Sequence, residues 1–241
     1  MNHMRVILFD IDGTLAATTN ADNGCYERAF ETAFGFPLPT TDWHRYQHVT
    51  DFGIIHEAFE WADKSKPSKA DLDRFELSYE RELRDSCERS PNGFAEVPGA
   101  RQLVEELCAR SDISVALATG GMRRTALFKL SQIGIDGMSM HGAFANDAIS
   151  RCDIARVAIE RTGVTPSDVV YVGDGAWDAA TSAALGMRFI GICREYAYER
   201  LVAAGATVIL EHFADKSAFY KAIESATVPI PPVGAQVSNS F

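Results

Sequence analysis

Three places in the 241-residue chain bring acidic or hydroxyl side chains to the end of an apolar run. Asp10 and Asp12 follow Val6-Ile7-Leu8-Phe9, and Thr119 follows Ile113 to Ala118 and leads into Gly120-Gly121. Asp174 and Asp178 follow Val169 to Val172, inside Gly173-Asp174-Gly175-Ala176-Trp177-Asp178. Crowded carboxylates repel one another, and the usual ways of holding them together are a bound cation or a shared proton. A hydroxyl followed by two glycines exposes backbone N–H groups, which at a helix start suit an anion. Plainer readings exist for each: an Asp-Gly pair closes many strands, and Thr119 suits the N-cap of the helix that follows it. Chance could supply one such strand end; three in this order make coincidence a poor explanation.

Short apolar runs with β-branched members, bounded by turn residues, predict strands buried on both faces of a parallel sheet. In open α/β sheets ligands bind outside the carboxyl ends of such strands, where Asp10, Thr119 and Asp174 would all lie. Gly13 would supply the freedom for the turn that returns Asp12 beside Asp10. The small and polar stretch from Leu15 to Gly24 suits a linker leaving the sheet, and most of the chain from there to about Ala95 has helical periodicity. One stripe is Tyr26, Ala29, Phe30, Ala33 and Phe34; a second is Ile54, Ile55, Ala58, Phe59 and Ala62; a third is Leu72, Phe75, Leu77, Tyr79 and Leu83. An insert of that length exceeds the dozen or so residues a crossover needs and reads as a separate cap. After Pro98-Gly99, helices are expected over Ala100–Arg110, from Arg123 to about Gln132, from Ser150 to Arg161, over Ala179–Leu185, around Tyr196–Ala204 and near Lys216–Ala226. Further short strands are expected at Phe189–Ile192 and Thr207–Leu210. The expected organisation is an α/β, Rossmann-like three-layer parallel-sheet core (1–17 and 96–227), an inserted all-helical cap (18–95) and an extended or disordered tail (228–241).

Composition narrows the function classes. The apolar fraction of 46% and charged fraction of 23% are ordinary for a globular chain. A formal net charge of −10 argues against nucleic-acid and anionic-membrane partners, which demand basic patches. No apolar run is long enough to span a bilayer or form a signal-peptide core, so a cytoplasmic protein is expected. Cys25, Cys87, Cys108, Cys152 and Cys193 are scattered and contain no Cys-x-x-Cys pair. They suggest neither a disulfide framework nor a zinc site.

Asp-x-Asp-Gly-Thr after the first strand, the strand-end Thr119 and Gly-Asp-x-x-x-Asp from Gly173 to Asp178 together resemble the haloacid dehalogenase-like superfamily, in its phosphoglycolate phosphatase-like subgroup with a helical cap. The resemblance spans nearly the whole chain, the tail excepted, and the cap matches in position and helicity. It implies a Mg²⁺-dependent phosphatase acting on a small phosphorylated metabolite, as a monomer or homodimer. Asp10 would be the nucleophile, forming an aspartyl-phosphate and also binding the metal. Asp12 would offer its backbone carbonyl to the metal while its side chain protonates the leaving group and then activates water. Asp174 would bind the metal directly, Asp178 through water or by orienting a basic residue, and Thr119 with the Gly120 N–H would hold phosphoryl oxygens. These residue types suit the chemistry, since a carboxylate attacks a phosphate dianion only where charge is neutralised, and Mg²⁺ prefers oxygen ligands.

The sequence departs from the family pattern at its expected lysine: none lies between Lys129 and Lys216. Arg151 is the best-placed cation, with Arg156 deeper in the same helix. An arginine binds a phosphoryl group bidentately but is not equivalent to a point-charge lysine. The second aspartate, Asp12, favours phosphoryl transfer over dehalogenation, because a halide leaves without a proton. A phosphonatase-like reaction would need a Schiff-base lysine in the cap, where Lys64, Lys66 and Lys69 sit in a charged turn. Alternatives are a sugar phosphomutase of the β-phosphoglucomutase kind and a catalytically silent metal-binding regulatory protein. Trp43 to Asp51 is the most chemically varied part of the cap and the candidate substrate-facing stretch. Within it His44 and His48 have metal-clamp spacing but no third ligand. Trp177 could line the pocket, and Arg123-Arg124 could steer an anion.

Overall fold

A computed structural model describes residues 5–17, 19–90, 93–193 and 198–232. The central sheet contains β1 (Arg5–Phe9), β4 (Ile113–Ala118), β5 (His141–Ala143), β6 (Val169–Gly173), β7 (Arg188–Ile192) and β8 (Ile209–Leu210). Its order is β5-β4-β1-β6-β7-β8, and every pair is parallel. β1 is therefore central, flanked by β4 and β6, and the three chemistry-bearing strand ends are neighbours. Strand order reverses across β1, the kind of switch point at which a crevice opens beyond the carboxyl edge.

Alternation along the strands gives each sheet face its own core. Ile7, Phe9, Val115, Leu117, Val170 and Val172 face α4 (Ala100–Cys108), α5 (Arg123–Gln132) and α9 (Lys216–Ser225). Val6, Leu8, Ala116, Ala118, Val169 and Tyr171 face α6 (Arg151–Thr162) and α7 (Ala176–Leu185). The result is the expected three-layer α/β core. The last expected strand shortens to two residues. The expected helix start near Tyr196 lies outside the described residues, and α8 runs Tyr198–Ala203. The tail is described only to residue 232; Thr227, just before it, accepts the Phe189 N–H at 3.0 Å through its carbonyl.

The helical insert joins the core through a two-stranded antiparallel ribbon, β2 (Ala16–Ala17) against β3 (Ala95–Glu96). Between them lie α1 (Thr19–Phe34), α2 (Asp51–Trp61) and α3 (Lys69–Arg89). α1 starts within the stretch expected to be a linker, and this sets Asp22 in a helical first turn. Local chemistry fixes the other starts: Thr50 caps α2 by accepting the Gly53 N–H at 3.1 Å, and Ser68 with Asp71 forms a capping box on α3. The three apolar stripes meet in one cluster that also takes in Met122 and Phe128 of the core. Leu77, expected in the third stripe, is instead 55% exposed; Leu72, Phe75, Tyr79 and Leu83 keep a helical spacing that Leu77 interrupts.

Phe75 is the hub of this cluster, fully buried and in ring contact with Tyr26, Phe30, Phe34 and Tyr79. Phe75→Ala is expected to destabilise the protein by about 3–5 kcal/mol, as large-to-small changes in packed cores do. Urea denaturation followed by circular dichroism checks this, and a loss below about 1 kcal/mol would contradict the packing.

Candidate active site

The site forms where β1, β4 and β6 end. Asp10 leaves β1 with its N–H bound to the Val172 carbonyl of β6 at 2.9 Å, and is 1% exposed. The chain then turns tightly through Gly13, at φ +79°, a value L side chains seldom adopt. A Cβ there would lie 2.1 Å from Oδ2 of Asp174, so the glycine also makes the cradle into which that carboxylate fits. Thr14 Oγ1 donates to Asp174 Oδ1 at 3.4 Å.

Asp10, Asp174 and Asp178 each offer a carboxylate oxygen, and these atoms lie within 4.8 Å of one another. The set is all oxygen and mostly buried, which fits a hard divalent cation. Burial first, then the Asp178 carboxylate, pushes Asp10 up to about 7, against the pull of Arg151. Burial, followed by Asp10 and Asp178, raises Asp174 well above the ordinary carboxylate range. Both carboxyls resist ionisation until further positive charge arrives, as expected of a group that holds a metal. Asp178 sits in the first turn of α7, which begins three residues earlier than expected. Its carboxylate accepts the Gly175 N–H at 3.0 Å, the Tyr171 hydroxyl at 3.1 Å and Arg151 Nη1 at 2.8 Å.

Arg151 opens α6, whose N-cap Ser150 accepts the Asp153 N–H at 3.1 Å. Its Nη1 lies 3.4 Å from Asp10 Oδ1, and its Nε donates to the Val49 carbonyl of the insert at 3.1 Å. Burial acts to lower its pKa, but Asp178 and Asp10 outweigh that and keep the guanidinium charged. Arg156 is instead exposed and paired with Asp153.

Thr119, 2% exposed, accepts the Gly121 N–H at 3.2 Å through Oγ1. It does not cap α5, as one reading of the sequence expected; Met122 is the N-cap residue and brings no side-chain bond. The capping acceptors come from elsewhere. Asp51 Oδ2 takes the Met122 N–H at 2.7 Å, Asn146 Oδ1 the Arg123 N–H at 2.6 Å, and Glu76 Oε1 the Arg124 N–H at 2.9 Å. Two of these acceptors belong to the insert, so it is bonded to the start of α5. A reciprocal bond from Asp51 N–H to the Gly120 carbonyl measures 2.7 Å. A Cβ on Gly120 would lie 2.7 Å from the Val49 carbonyl, so residue 120 must be small for this approach.

Two participants, Lys129 and Asp22, have no counterpart in the sequence reading, and Asp51 was expected to face the substrate without a partner being foreseen. Lys129, on the buried side of α5, is 2% exposed; its Nζ lies 3.0 Å from both oxygens of Asp12, 2.7 Å from Asp22 Oδ2 and 3.3 Å from the Tyr79 hydroxyl. Burial opposes its charge, but Asp12, Asp22 and Asp51 overcome that and hold the ammonium protonated. The signal was present: Lys129 follows Ala126 and precedes Leu130 and Ile133 in an otherwise apolar stripe, and lysine is rarely buried without partners. Asp22 was hidden by the linker reading. Asp51 is pushed up to about 7, by burial first, with Lys129 and the Met122 N–H opposing.

Together these residues line a cavity of about 170 Å³. Trp43, Val49, Thr50 and Asp51 of the candidate substrate-facing stretch reach it, as does Trp177, whose ring lies 5.4 Å from the Arg151 guanidinium carbon. His44 and His48 form no metal clamp: His44 is in a short 3₁₀ turn beside Arg200, while the backbone N–H of His48 donates to Glu57. Arg123 and Arg124 point away to Phe144 and Glu80. Lys64 lies over Phe36 and Lys69 pairs with Asp73, so neither supplies a lysine to the cavity.

The raised carboxyls have a consequence for stability. Between about pH 4 and pH 7 the folded protein holds protons on Asp10 and Asp51 that the unfolded chain has released, so their contribution to stability is lost as pH rises through that window. In chelator-treated protein, Asp51→Asn is expected to be more stable than wild type by about 1–3 kcal/mol above pH 7, and by almost nothing near pH 4. Urea midpoints at both pH values check this; an equal effect at the two would contradict it.

The model for "haloacid dehalogenase-like hydrolase" matches residues 4–186. No curated protein sequence matches the chain significantly. Among solved structures, a hydrolase from Pseudomonas syringae superposes with a TM-score of 0.70 at 20% identity, covering 91% of this chain and 99% of that one. CbbY from Rhodobacter sphaeroides, in complex with phosphate, gives 0.66 at 20% identity over 88% and 96%. A predicted phosphoglycolate phosphatase from Haemophilus somnus gives 0.60 at 18% identity over 91% and 99%. At these identities the likeness is one of fold. With the family model covering most of the chain, this protein belongs to the haloacid dehalogenase-like hydrolases.

Proposed function

We propose that this hydrolase is a Mg²⁺-dependent phosphatase of a small phosphorylated metabolite, working through an aspartyl-phosphate on Asp10. The observation that carries the reading is Arg151: the cation missing from the expected lysine position is supplied by a guanidinium within 3.4 Å of Asp10 and 2.8 Å of Asp178.

Asp10 and Asp174 would hold the metal through side-chain oxygens, Asp12 through its backbone carbonyl, and Asp178 through water while fixing Arg151. The bound cation would neutralise phosphoryl charge and the repulsion among the carboxylates. One Asp10 oxygen attacks phosphorus as the bond from phosphorus to the ester oxygen breaks. Thr119, the Gly120 N–H and Arg151 hold the phosphoryl oxygens while this happens. The departing alkoxide takes a proton from Asp12. Water then attacks phosphorus, gives a proton back to Asp12 and releases phosphate from Asp10. Lys129 grips both Asp12 oxygens and so fixes where this proton carrier sits. Among the described residues no helix is long and apolar enough to cross a membrane, and the proposed setting is the cytoplasm.

A silent regulatory protein would have no need of a partly buried arginine aimed at the first aspartate. A phosphomutase would have to bind a second phosphate, and among the described residues the only other lysine or arginine lining the cavity, Lys129, is engaged by Asp12 and Asp22.

Wild-type protein is expected to hydrolyse an aryl phosphate only with Mg²⁺, and Asp10→Asn, which keeps the shape and removes the charge, to lower kcat by roughly 10³-fold or more. Arg151→Met is expected to lower it by about 10²–10³-fold. Phosphate release measured in steady state checks both; activity retained in Asp10→Asn would overturn the reading.

A further inference from the structure

The cavity wall contributed by the helical insert is unusual in its charge. It presents the carboxylates Asp22 and Asp51 and the rings of Tyr26, Trp43 and Tyr79, and none of its lining residues is a lysine or arginine. Among the described residues the core contributes two cations to the lining, and both are occupied. Arg151 is bound to Asp178 and Asp10, at the place where phosphoryl charge would arrive. Lys129 is bound to Asp12 and Asp22. Around Lys129, three carboxylates (Asp12, Asp22 and Asp51) act on one ammonium. Above pH 7, where Asp51 is ionised, a substrate's second anion would face the carboxylates of this wall, and such like-charge juxtaposition costs several kcal/mol. An ammonium would meet carboxylates and aromatic faces, the two surfaces that stabilise a partly dehydrated cation. The volume sets a second limit, because about 170 Å³ lies below the ~300–1,000 Å³ of pockets that hold drug-sized ligands.

Resting on the phosphatase reading, we infer that the substrate is a small phosphomonoester whose alcohol carries an ammonium group, with an uncharged alcohol second and a carboxylate-bearing one strongly disfavoured. The transferred group and the bonds made and broken are those already given; the new content is the charge of the alcohol that leaves. This sets the substrate apart from glycolate phosphates and bisphosphates, both of which bring a second anion to the wall formed by Asp22 and Asp51.

Three phosphomonoesters of nearly equal size make the test: 2-aminoethyl, 2-hydroxyethyl and carboxymethyl phosphate. Each is used at pH 8, where Asp51 is ionised, as a competitor of Mg²⁺-dependent aryl phosphate hydrolysis by the full chain, so that binding is read whether or not the competitor itself turns over quickly. The expected order of inhibition is amine, then hydroxyl, then carboxylate, with roughly tenfold or more between the first and the last. Asp51→Asn, which keeps an oxygen for the Met122 N–H, is expected to shrink that ratio. Equal or stronger competition by carboxymethyl phosphate, or an absence of competition by the aminoethyl ester, would overturn the inference and leave the phosphatase reading standing. An unchanged ratio in folded, active Asp51→Asn would overturn the part assigned to that carboxylate. Absence of wild-type aryl phosphate hydrolysis would instead overturn the phosphatase reading on which the inference rests.

Discussion

Negative charge gathered in a small, poorly solvated volume is the constraint around which this molecule is built. Asp10, Asp12 and Asp174 converge at the carboxyl edge of β1 and β6, with Asp178 just behind in the first turn of α7. Like charges at these distances in a protein interior repel by kcal/mol amounts, and burial adds the cost of lost hydration. Two cations oppose this from different sides: the partly buried Arg151 from the start of α6 and the buried Lys129 from the middle of α5. They are too few to balance the carboxylates; burial first, then the Asp178 carboxylate, pushes Asp10 up to about 7. The remaining deficit would favour a divalent cation at this position, and under the proposed function that cation would settle the charge before a phosphoryl group enters.

The same constraint joins the helical insert to the core. Lys129 reaches Asp12 of the core and Asp22 of the insert at once. Asp51 binds the Met122 N–H and sits on the Gly120 carbonyl, and Arg151 holds the Val49 carbonyl. Each of these bonds pairs a group of the proposed chemistry, or its near neighbour, with the segment that lines the cavity. Opening the insert would break them together, so the geometry of Asp12, the proposed acid–base group, and the position of the insert are coupled through shared partners. The tight approach at Gly120 and the cradle at Gly13 are the backbone conditions for this arrangement, and neither tolerates a Cβ without displacement.

Much of this was legible in the sequence because it rests on local pattern. Short β-branched runs gave β1, β4 and β6, and their final residues named Asp10, Thr119 and Asp174. Helical periodicity marked the insert, since apolar stripes must face one another. What escaped were residues whose meaning depends on long-range contact. Lys129 partners residues 107 and 117 positions away, and nothing in its neighbourhood besides an apolar stripe signals a buried ion pair. Asp51 looks like an ordinary first-turn acid of its own helix, yet its carboxylate caps another. The polar composition before Gly24 hid the start of α1, because packing against α3 overrides weak local propensity. Thr119 was eligible as a cap by type, but the two glycines delay the helix until Arg123.

The most direct test of the account is to trap the covalent state. Asp12→Asn protein, mixed with Mg²⁺ and an aryl phosphate, combines a leaving group that needs no protonation with a site that has lost its means of activating water, so the phosphorylated enzyme should accumulate. Borohydride reduces an acyl phosphate to the alcohol and would convert Asp10 to homoserine, which peptide mass spectrometry locates. The account requires homoserine at position 10, dependent on both Mg²⁺ and substrate. Reduction at Asp174 or Asp178 instead, or turnover of the aryl phosphate with no reducible group at position 10, would contradict it.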